Sequence, residues 1–506
     1  MRPSKRPEIA DGPVVLTGSD LTIDALVRVA RGGDPVELSP GARANIRASE
    51  ALLQDLVRGG RRLYGLTTGV GALESIEVTE EMNREQQRRL LLSHAAGVGA
   101  PMREDQVRAM MLTRANVLAL GISGARLETC EALLALLNRG VTPEVPERGS
   151  VGASDLAPLA HVGLALIGIG RARVLGEVMP AKDALAAVGL RPHALLGRDA
   201  FALINGLNQT IAVGALALAD ARRLVSLAEA ATALSTAAVR APADFLDPRV
   251  ARAKGHEGQE ASAARMRALM RAPDLKSASN ARHRTGLSMR YAPQVLGACR
   301  SALAFAEQAI GTEMNAAIDN PMIFPDGWST NNSGITSGQE LAQALDLVAN
   351  AIASSAVIAE RRIAALLDPD TNGGLPPFLR TEAPTSSGLM IAQYTAASLV
   401  AELRTRSVPA SLQSIPTCAN TEDHVSMSAL SARHLAWAIE TAEIIVAIEL
   451  LVGCRAIDLA GVFVPPRLQR LHATVRSAVP SIDDERIIAD DIQAIVDRLR
   501  SDRLSS

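Results

Sequence analysis

Aromatic residues are scarce in this chain: two Trp, three Tyr and six Phe among 506 residues. Hydrophobic residues still make up 48%, so the core has to be aliphatic, built from Ala, Leu, Ile and Val. Ala and Leu are the strongest helix formers, and β-branched runs of strand length are also few. Charge of one sign is lacking as well. The formal net charge is −2 with acids and bases interspersed, which leaves no basic stripe for nucleic acid and no polybasic patch for a membrane surface. Cysteine is limited to Cys130, Cys299, Cys418 and Cys454. They are far apart without CxxC spacing, which argues against a zinc site and a disulfide framework and fits a reducing cytoplasm. The first residues, MRPSKRPEIADG, have no apolar h-region, so no secretory signal is expected. The most apolar long stretch, 434–460, carries Glu440, Glu443 and Glu449, which suits a buried bundle helix and not a membrane span.

What is present is helical periodicity over unusual lengths. Residues 340–368 place apolar side chains on nearly every face, as a helix surrounded by helices does. Comparable runs cover 205–237 and 387–406. Turn-forming clusters separate them at 319–328, 368–379 and 408–420. The chain before residue 200 is more broken, with glycine-rich loops such as YGLTTGVGAL. There is no internal repeat and no low-complexity linker. The expected class is all-α: a loop-rich N-terminal region over 1–200, a long-helix bundle over 201–480, and a peripheral C-terminal helix over 481–506. Helices that are apolar all round need more partners than one chain supplies, so a homo-oligomer is expected.

Eight stretches carry a family resemblance. They are YGLTTGVG (64–71), LLLSHAAGVG (90–99), GSVGASDLAPLAH (149–161), LINGLNQ (203–209), SMRYAPQVLG (288–297), EMNAAIDNP (313–321), NGGLPPFL (372–379) and SIPTCANTEDHVSM (414–427). In this order they resemble the aromatic amino acid ammonia-lyases, and among them most closely the histidine ammonia-lyases. The relatives also include aminomutases, which move the amino group instead of releasing it. The resemblance implies an all-α ammonia-lyase fold, a carbon–nitrogen lyase activity on an amino acid, and a tetramer whose sites are shared between subunits.

The chemistry implied by that family is demanding. The proton to be removed sits on a β-carbon and is barely acidic, and an amine leaves poorly, so an electrophile must first withdraw electrons. The family makes one from its own backbone. An Ala-Ser-Gly triplet cyclises, by attack of the third residue's amide nitrogen on the first residue's carbonyl, and loses water to give methylidene-imidazolone. Glycine suits this close approach because it has no Cβ. By the same resemblance Tyr64 corresponds to the base for the β-proton, and Asn205 to the residue that hydrogen-bonds the prosthetic group. Arg290 corresponds to the partner of the substrate carboxylate. His94, with Ser93, and Glu422 correspond to residues beside the substrate side chain. From the residues alone, each has a plain alternative: Tyr64 a loop aromatic, Asn205 a helix-start cap, Arg290 a surface arginine, His94 a satisfied polar group, and Glu422 part of a buried network with Asp423 and His424. Tyrosine at its ordinary pKa is a poor base and needs cationic or dipolar help.

The triplet itself departs from the family. Where the pattern reads Ala-Ser-Gly-Asp-Leu-Ala-Pro, this chain reads Ala153-Ser154-Asp155-Leu156-Ala157-Pro158. The glycine is deleted, since the following motif is intact but one residue closer. Asp155 reads as the N-cap of the next helix, with proline in its first turn, and its Cβ opposes cyclisation. Leu287 replaces a tyrosine, Arg284 a glutamine, and Ser333-Gly334-Ile335-Thr336 stands where the family has Gly-Gly-Asn-Phe. Leucine cannot donate a hydrogen bond or move a proton.

Two readings stay open. One is a histidine ammonia-lyase-like enzyme that makes its electrophile from Ala153-Ser154-Asp155. The other is a family member without methylidene-imidazolone. That second form is either an enzyme of changed chemistry on a small amino or carboxylic acid, or a non-catalytic binding or assembly subunit. No metal is expected: His193, His256, His283, His434 and His472 show no ligand spacing, and His161 and His424 read as structural. Neither a P-loop nor a strand-helix GxGxxG is present. Cytoplasmic location, no nucleic-acid or membrane partner, and a homotetramer complete the expectations.

Overall fold

A computed structural model describes residues 12–270, 286–330, 333–380, 385–462, 464–482 and 484–501. Helices dominate, and the strands among the described residues are two to four residues long, paired in four small sheets. The long periodic runs fold as helices Asn208–Ala238, Ala292–Glu313, Gln339–Leu367, Met390–Thr405 and Ser428–Ala460. The charged C-terminal stretch forms the helix Ile488–Ser501.

The chain divides into two compact units. The first comprises residues 1–219, 306–346 and 409–433, and the second 220–305, 347–408 and 434–506. In the first unit, helix Glu104–Ala119 has every position from Val107 to Ala119 buried. Helix Pro40–Arg58 shows why its sequence folds locally. Ser39 accepts the Ala42 amide at 3.0 Å and Pro40 occupies the first turn, where its missing N–H leaves nothing unpaired. Helix Glu80–His94 packs on Leu156–Leu166 and Asp199–Ile204, and these three carry or flank most of the sequence candidates.

Among the described residues, two helices are long and apolar enough to cross a membrane. The apolar window within Asp199–Ala238 is wholly buried, and that within Gln339–Leu367 is 61% buried. Both therefore serve as core helices, for which apolar faces all round are needed.

The second unit encloses charge within this aliphatic core. Arg362 donates through Nε and Nη2 to both carboxylate oxygens of Glu449, at 2.6 and 2.7 Å, and both side chains are fully buried. Ser235 donates to the same carboxylate at 3.0 Å, and Arg362 reaches the Ser288 carbonyl at 3.2 Å. Removing one member strands the other. Glu449→Gln is expected to lower unfolding free energy by about 3–5 kcal/mol, whereas the paired change Arg362→Met with Glu449→Leu recovers most of it. Urea unfolding of the three proteins checks this.

Candidate active site

The Ala153-Ser154-Asp155 segment is held between two other stretches of the first unit. The Ser154 amide donates to the Thr336 carbonyl at 3.2 Å, the Gly338 amide to Gly152 at 3.2 Å, and the Met427 amide to Val151 at 2.8 Å. Ala153 bridges Ser337. Gly152 is obligatory here. Its φ is +79°, and a Cβ would lie 2.3 Å from Ser426 Oγ and 2.7 Å from the Ser428 amide nitrogen. The contact with Thr336 places the altered Ser333–Thr336 stretch directly against the triplet.

Ser154 is buried with φ +64°, a left-handed conformation uncommon for a residue with a side chain. Its hydroxyl donates to Asn205 Oδ1 at 2.7 Å. Asn205 does not start a helix. It ends helix Asp199–Ile204, and the next helix begins at Asn208. Its amide nitrogen instead donates to Asp319 Oδ1 and the Asn320 carbonyl, both at 3.0 Å.

Asp155 takes the N-cap position of helix Leu156–Leu166, as its sequence suggests, and its carbonyl accepts the Leu159 amide at 3.2 Å, but its side chain makes no capping hydrogen bond there. The carboxyl group turns to the start of the Asn208–Ala238 helix, where it accepts the Thr210 amide at 2.9 Å, and it also accepts the Ser150 hydroxyl at 2.5 Å. The free amides and positive dipole end of that longer helix give the carboxyl more than its own helix offers. Burial raises the Asp155 carboxyl above the ordinary range, against the lowering effect of Ser150, Thr210 and Gln209.

Beneath these residues lies a charged knot that sequence reasoning did not single out. Asp319 accepts from Arg198 Nη2 at 2.7 Å and from Arg114 Nη2 at 3.0 Å, with all three side chains at most 1% exposed. Arg114 also donates to the carbonyls of Ala202, Asn205 and Ile318, and Arg198 to those of Ser123 and Asn320. The available signal was an arginine inside the otherwise apolar stretch MLTRANVLAL, together with an aspartate inside the EMNAAIDNP motif.

Tyr64 sits half-buried, its ring edge-on to Phe201 with centroids 5.5 Å apart. Phe201 in turn accepts the Asn205 amide through its carbonyl at 3.0 Å, which links the Tyr64 turn to the triplet. The Tyr64 hydroxyl accepts the Gly71 amide at 2.6 Å. Burial raises its pKa above the ordinary value near 10; the Gly71 hydrogen bond opposes this, and Cys418, Glu74 and Glu422 add to it. The phenol is therefore a proton holder at neutral pH, and dipolar help from one amide is outweighed.

Glu422 is half-buried and accepts the Thr417 hydroxyl at 2.6 Å, while Asp423 and His424 are exposed. This corrects the expectation of a buried network. His94 has Nδ1 at 2.9 Å from the Leu90 carbonyl and 3.1 Å from Ser93 Oγ. A carbonyl only accepts, so Nδ1 carries the proton and Nε2 presents a lone pair; burial lowers the His94 pKa and favours this neutral form. Arg290 ends the short helix Leu287–Arg290 in the second unit, with Leu287 49% exposed at its start. Arg284 and His283 lie outside the described residues. Among the described residues no group of His, Cys, Asp and Glu could hold a metal ion.

Comparison with known proteins bears on this arrangement. Residues 21–477 match the family described as aromatic amino acid lyase. The chain belongs to the aromatic amino acid lyase family. Aromatic amino acid lyases similar to it include the histidine ammonia-lyase of Gloeobacter violaceus, 43% identical over 97% of this chain and 96% of that protein. The histidine ammonia-lyase of Symbiobacterium thermophilum is 42% identical over 96% of each. Among solved structures of this lyase fold, histidine ammonia-lyase from Trypanosoma cruzi matches with a TM-score of 0.90 at 37% identity, covering 97% of this chain and 94% of that one. Tyrosine aminomutase from Streptomyces globisporus matches at 0.92 and 35%, covering 97% and 98%.

Membership in the lyase family implies the methylidene-imidazolone group, and in this chain the third backbone nitrogen of the triplet belongs to Asp155. The nitrogen that would close the ring is the Asp155 amide, which donates to the Gly206 carbonyl at 2.6 Å. Closing the ring would remove that donor from a buried acceptor. It would also require Asp155 to move while its carboxyl holds Ser150 and Thr210. Dehydrating Ser154 would end its bond to Asn205.

The Asp319 knot gives a pH test. Burial acts to raise this carboxyl, but the charges of Arg198 and Arg114 and the Arg198 hydrogen bond outweigh it and hold the pKa below its ordinary 3.8. A depressed carboxylate contributes stability that is present above the ordinary value and lost as pH falls through the folded-state value. Asp319→Asn is expected to destabilise the protein by about 3–5 kcal/mol near neutral pH, because two guanidinium groups lose their counter-ion. The gap from wild type should narrow as pH falls below about 4, read by urea midpoints at stepped pH.

Proposed function

We propose that this protein is a histidine ammonia-lyase-like family member that binds an amino acid, or a small carboxylic acid, without assembling methylidene-imidazolone. On this reading it does not carry out conventional deamination. The observation that carries it is the Asp155 amide, which takes the place of the ring-closing glycine nitrogen and is committed to Gly206 at 2.6 Å. The family relatives named above act as histidine ammonia-lyases or as a tyrosine aminomutase by name, which supports an amino acid as the ligand class.

The residues suit recognition better than proton abstraction. His94 offers Nε2 as an acceptor, Tyr64 keeps its proton and can donate, and Glu422 stands beside Tyr64 closely enough to raise its pKa. By the family resemblance alone, Arg290 of the second unit is the candidate partner of a ligand carboxylate, for which its planar fork is suited. A cytoplasmic homotetramer is part of the same proposal and rests on the family resemblance and on the absence of disulfide spacing.

Intact mass spectrometry tests the cofactor. The expected mass equals that of the translated sequence, with no added ultraviolet band of a conjugated imidazolone and no ammonia released from L-histidine. A mass short by two waters, with the deficit mapped to a peptide spanning Ala153 to Asp155, would restore the working-lyase reading. Ligand recognition is tested separately. Arg290→Ala is expected to weaken L-histidine binding about tenfold by calorimetry, through loss of a charge-assisted pair. Unchanged affinity removes Arg290 from the site.

A further inference from the structure

Two glutamates stand where the chain leaves one long helix and enters the next. Glu313 is the last residue of helix Ala292–Glu313, and Glu340 lies in the first turn of helix Gln339–Leu367. Both of these helix ends belong to the first unit. They converge over helix Asn208–Ala238, where a Cβ on Gly214 would lie 3.0 Å from Ile310 Cδ1 and 3.2 Å from Leu345 Cδ1. The connection between them, residues 314–338, supplies Asp319 and Asn320 to Asn205 and ends on the triplet. There the Thr336 carbonyl accepts the Ser154 amide and the Gly338 amide donates to the Gly152 carbonyl, both at 3.2 Å. Glu340 is two residues beyond Gly338, whose carbonyl accepts the Ala342 amide at 2.9 Å.

The Glu313 side chain is half-buried, and its carboxyl has neither a hydrogen bond nor an ion pair among the described residues. Glu340 is exposed and is the one charged group that acts on it among the described residues. The other segments packed here offer uncharged groups. Asn116 donates to the Met314 carbonyl at 3.0 Å, and Leu21 exchanges two hydrogen bonds of 2.9 Å with Asn315. Helix dipoles decide which member of the pair gives up its charge. Glu313 stands at a C-terminal end, where negative charge is disfavoured, and Glu340 at an N-terminal end, where it is favoured. Burial, and then Glu340, push the Glu313 carboxyl up to about 7. A partly buried charge without a partner is costly, so the group neutralises instead.

We propose that Glu313 and Glu340 form a pH-responsive joint that tightens or loosens the support of the Ala153-Ser154-Asp155 segment. With Glu313 neutral, the two helix ends close and the Thr336 and Gly338 contacts with the triplet are held. With Glu313 ionised, two carboxylates repel in a partly desolvated joint that has no cation between them. The start of helix Gln339–Leu367 then yields, since Glu340 is on the solvent side. Gly338 has no slack to absorb the shift, because a Cβ there would lie 2.4 Å from Ser428 Oγ. A raised carboxyl contributes stability that is fully present below its ordinary value of 4.5 and lost as pH rises through about 7. The joint acts on the backbone that holds the triplet, and is independent of ring closure and of any ligand.

The test is hydrogen–deuterium exchange of the full-length protein at stepped pH, with rates corrected for the base-catalysed exchange of an unstructured amide. Protection of the Ser154 and Gly338 amides is expected to fall about fivefold or more between about pH 6 and about pH 8, while amides of the buried helix Glu104–Ala119 keep theirs. Glu313→Gln should hold the same two amides within about twofold across that range, because nothing titrates at the joint. Glu340→Gln, at an exposed position, should move the fall to lower pH, and it decides the matter if Glu313→Gln melts early by circular dichroism. Wild-type protection that is flat with pH, a fall that persists in folded Glu313→Gln, or an unmoved fall in Glu340→Gln overturns the proposal.

Discussion

Asp319 between Arg114 and Arg198 is the constraint on which the first unit's site depends. Two guanidinium groups buried with one carboxylate are tolerable because most of their remaining N–H groups find carbonyls; the Nε of Arg198 has no partner among the described residues. Those carbonyls belong to Ala202, Asn205, Ile318, Ser123 and Asn320. Satisfying the arginines therefore pins four chain segments at once. Asn205 is positioned as a by-product, and through Asn205 the Ser154 hydroxyl is oriented. Ser154 and Asn205 are thus held by the same network that neutralises the buried charge.

Asp155 is anchored beside that network. It directly precedes the helix Leu156–Leu166, and its carboxyl accepts the Ser150 hydroxyl and the Thr210 amide.

Much of the architecture was legible in the sequence, because long apolar periodicity has few outcomes in an Ala- and Leu-rich chain. The runs at 205–237, 340–368 and 387–406 became helices with boundaries shifted by only a few residues. The partners of polar side chains were not legible. Asp155 takes the N-cap position that its sequence suggests, yet its carboxyl serves a helix that begins more than fifty residues later. Asn205 was read as a helix start and instead ends one. Local spacing identifies groups that want partners, but tertiary contact decides which partner they find. Arg114 and Arg198 escaped notice for the same reason, since their shared counter-ion is far away in sequence.

Gly71 ties two loops into one mechanical element. Its amide holds the Tyr64 hydroxyl, and its α-carbon lies so close to Cys418 that an added Cβ would come within 2.5 Å of the sulfur. Cys418 is exposed and begins a run of three left-handed residues, Cys418, Ala419 and Asn420, in the same hairpin as Glu422. Neither loop can swing without displacing the other. The thiol is thus a built-in attachment point from which a small probe would sense the posture of the tyrosine.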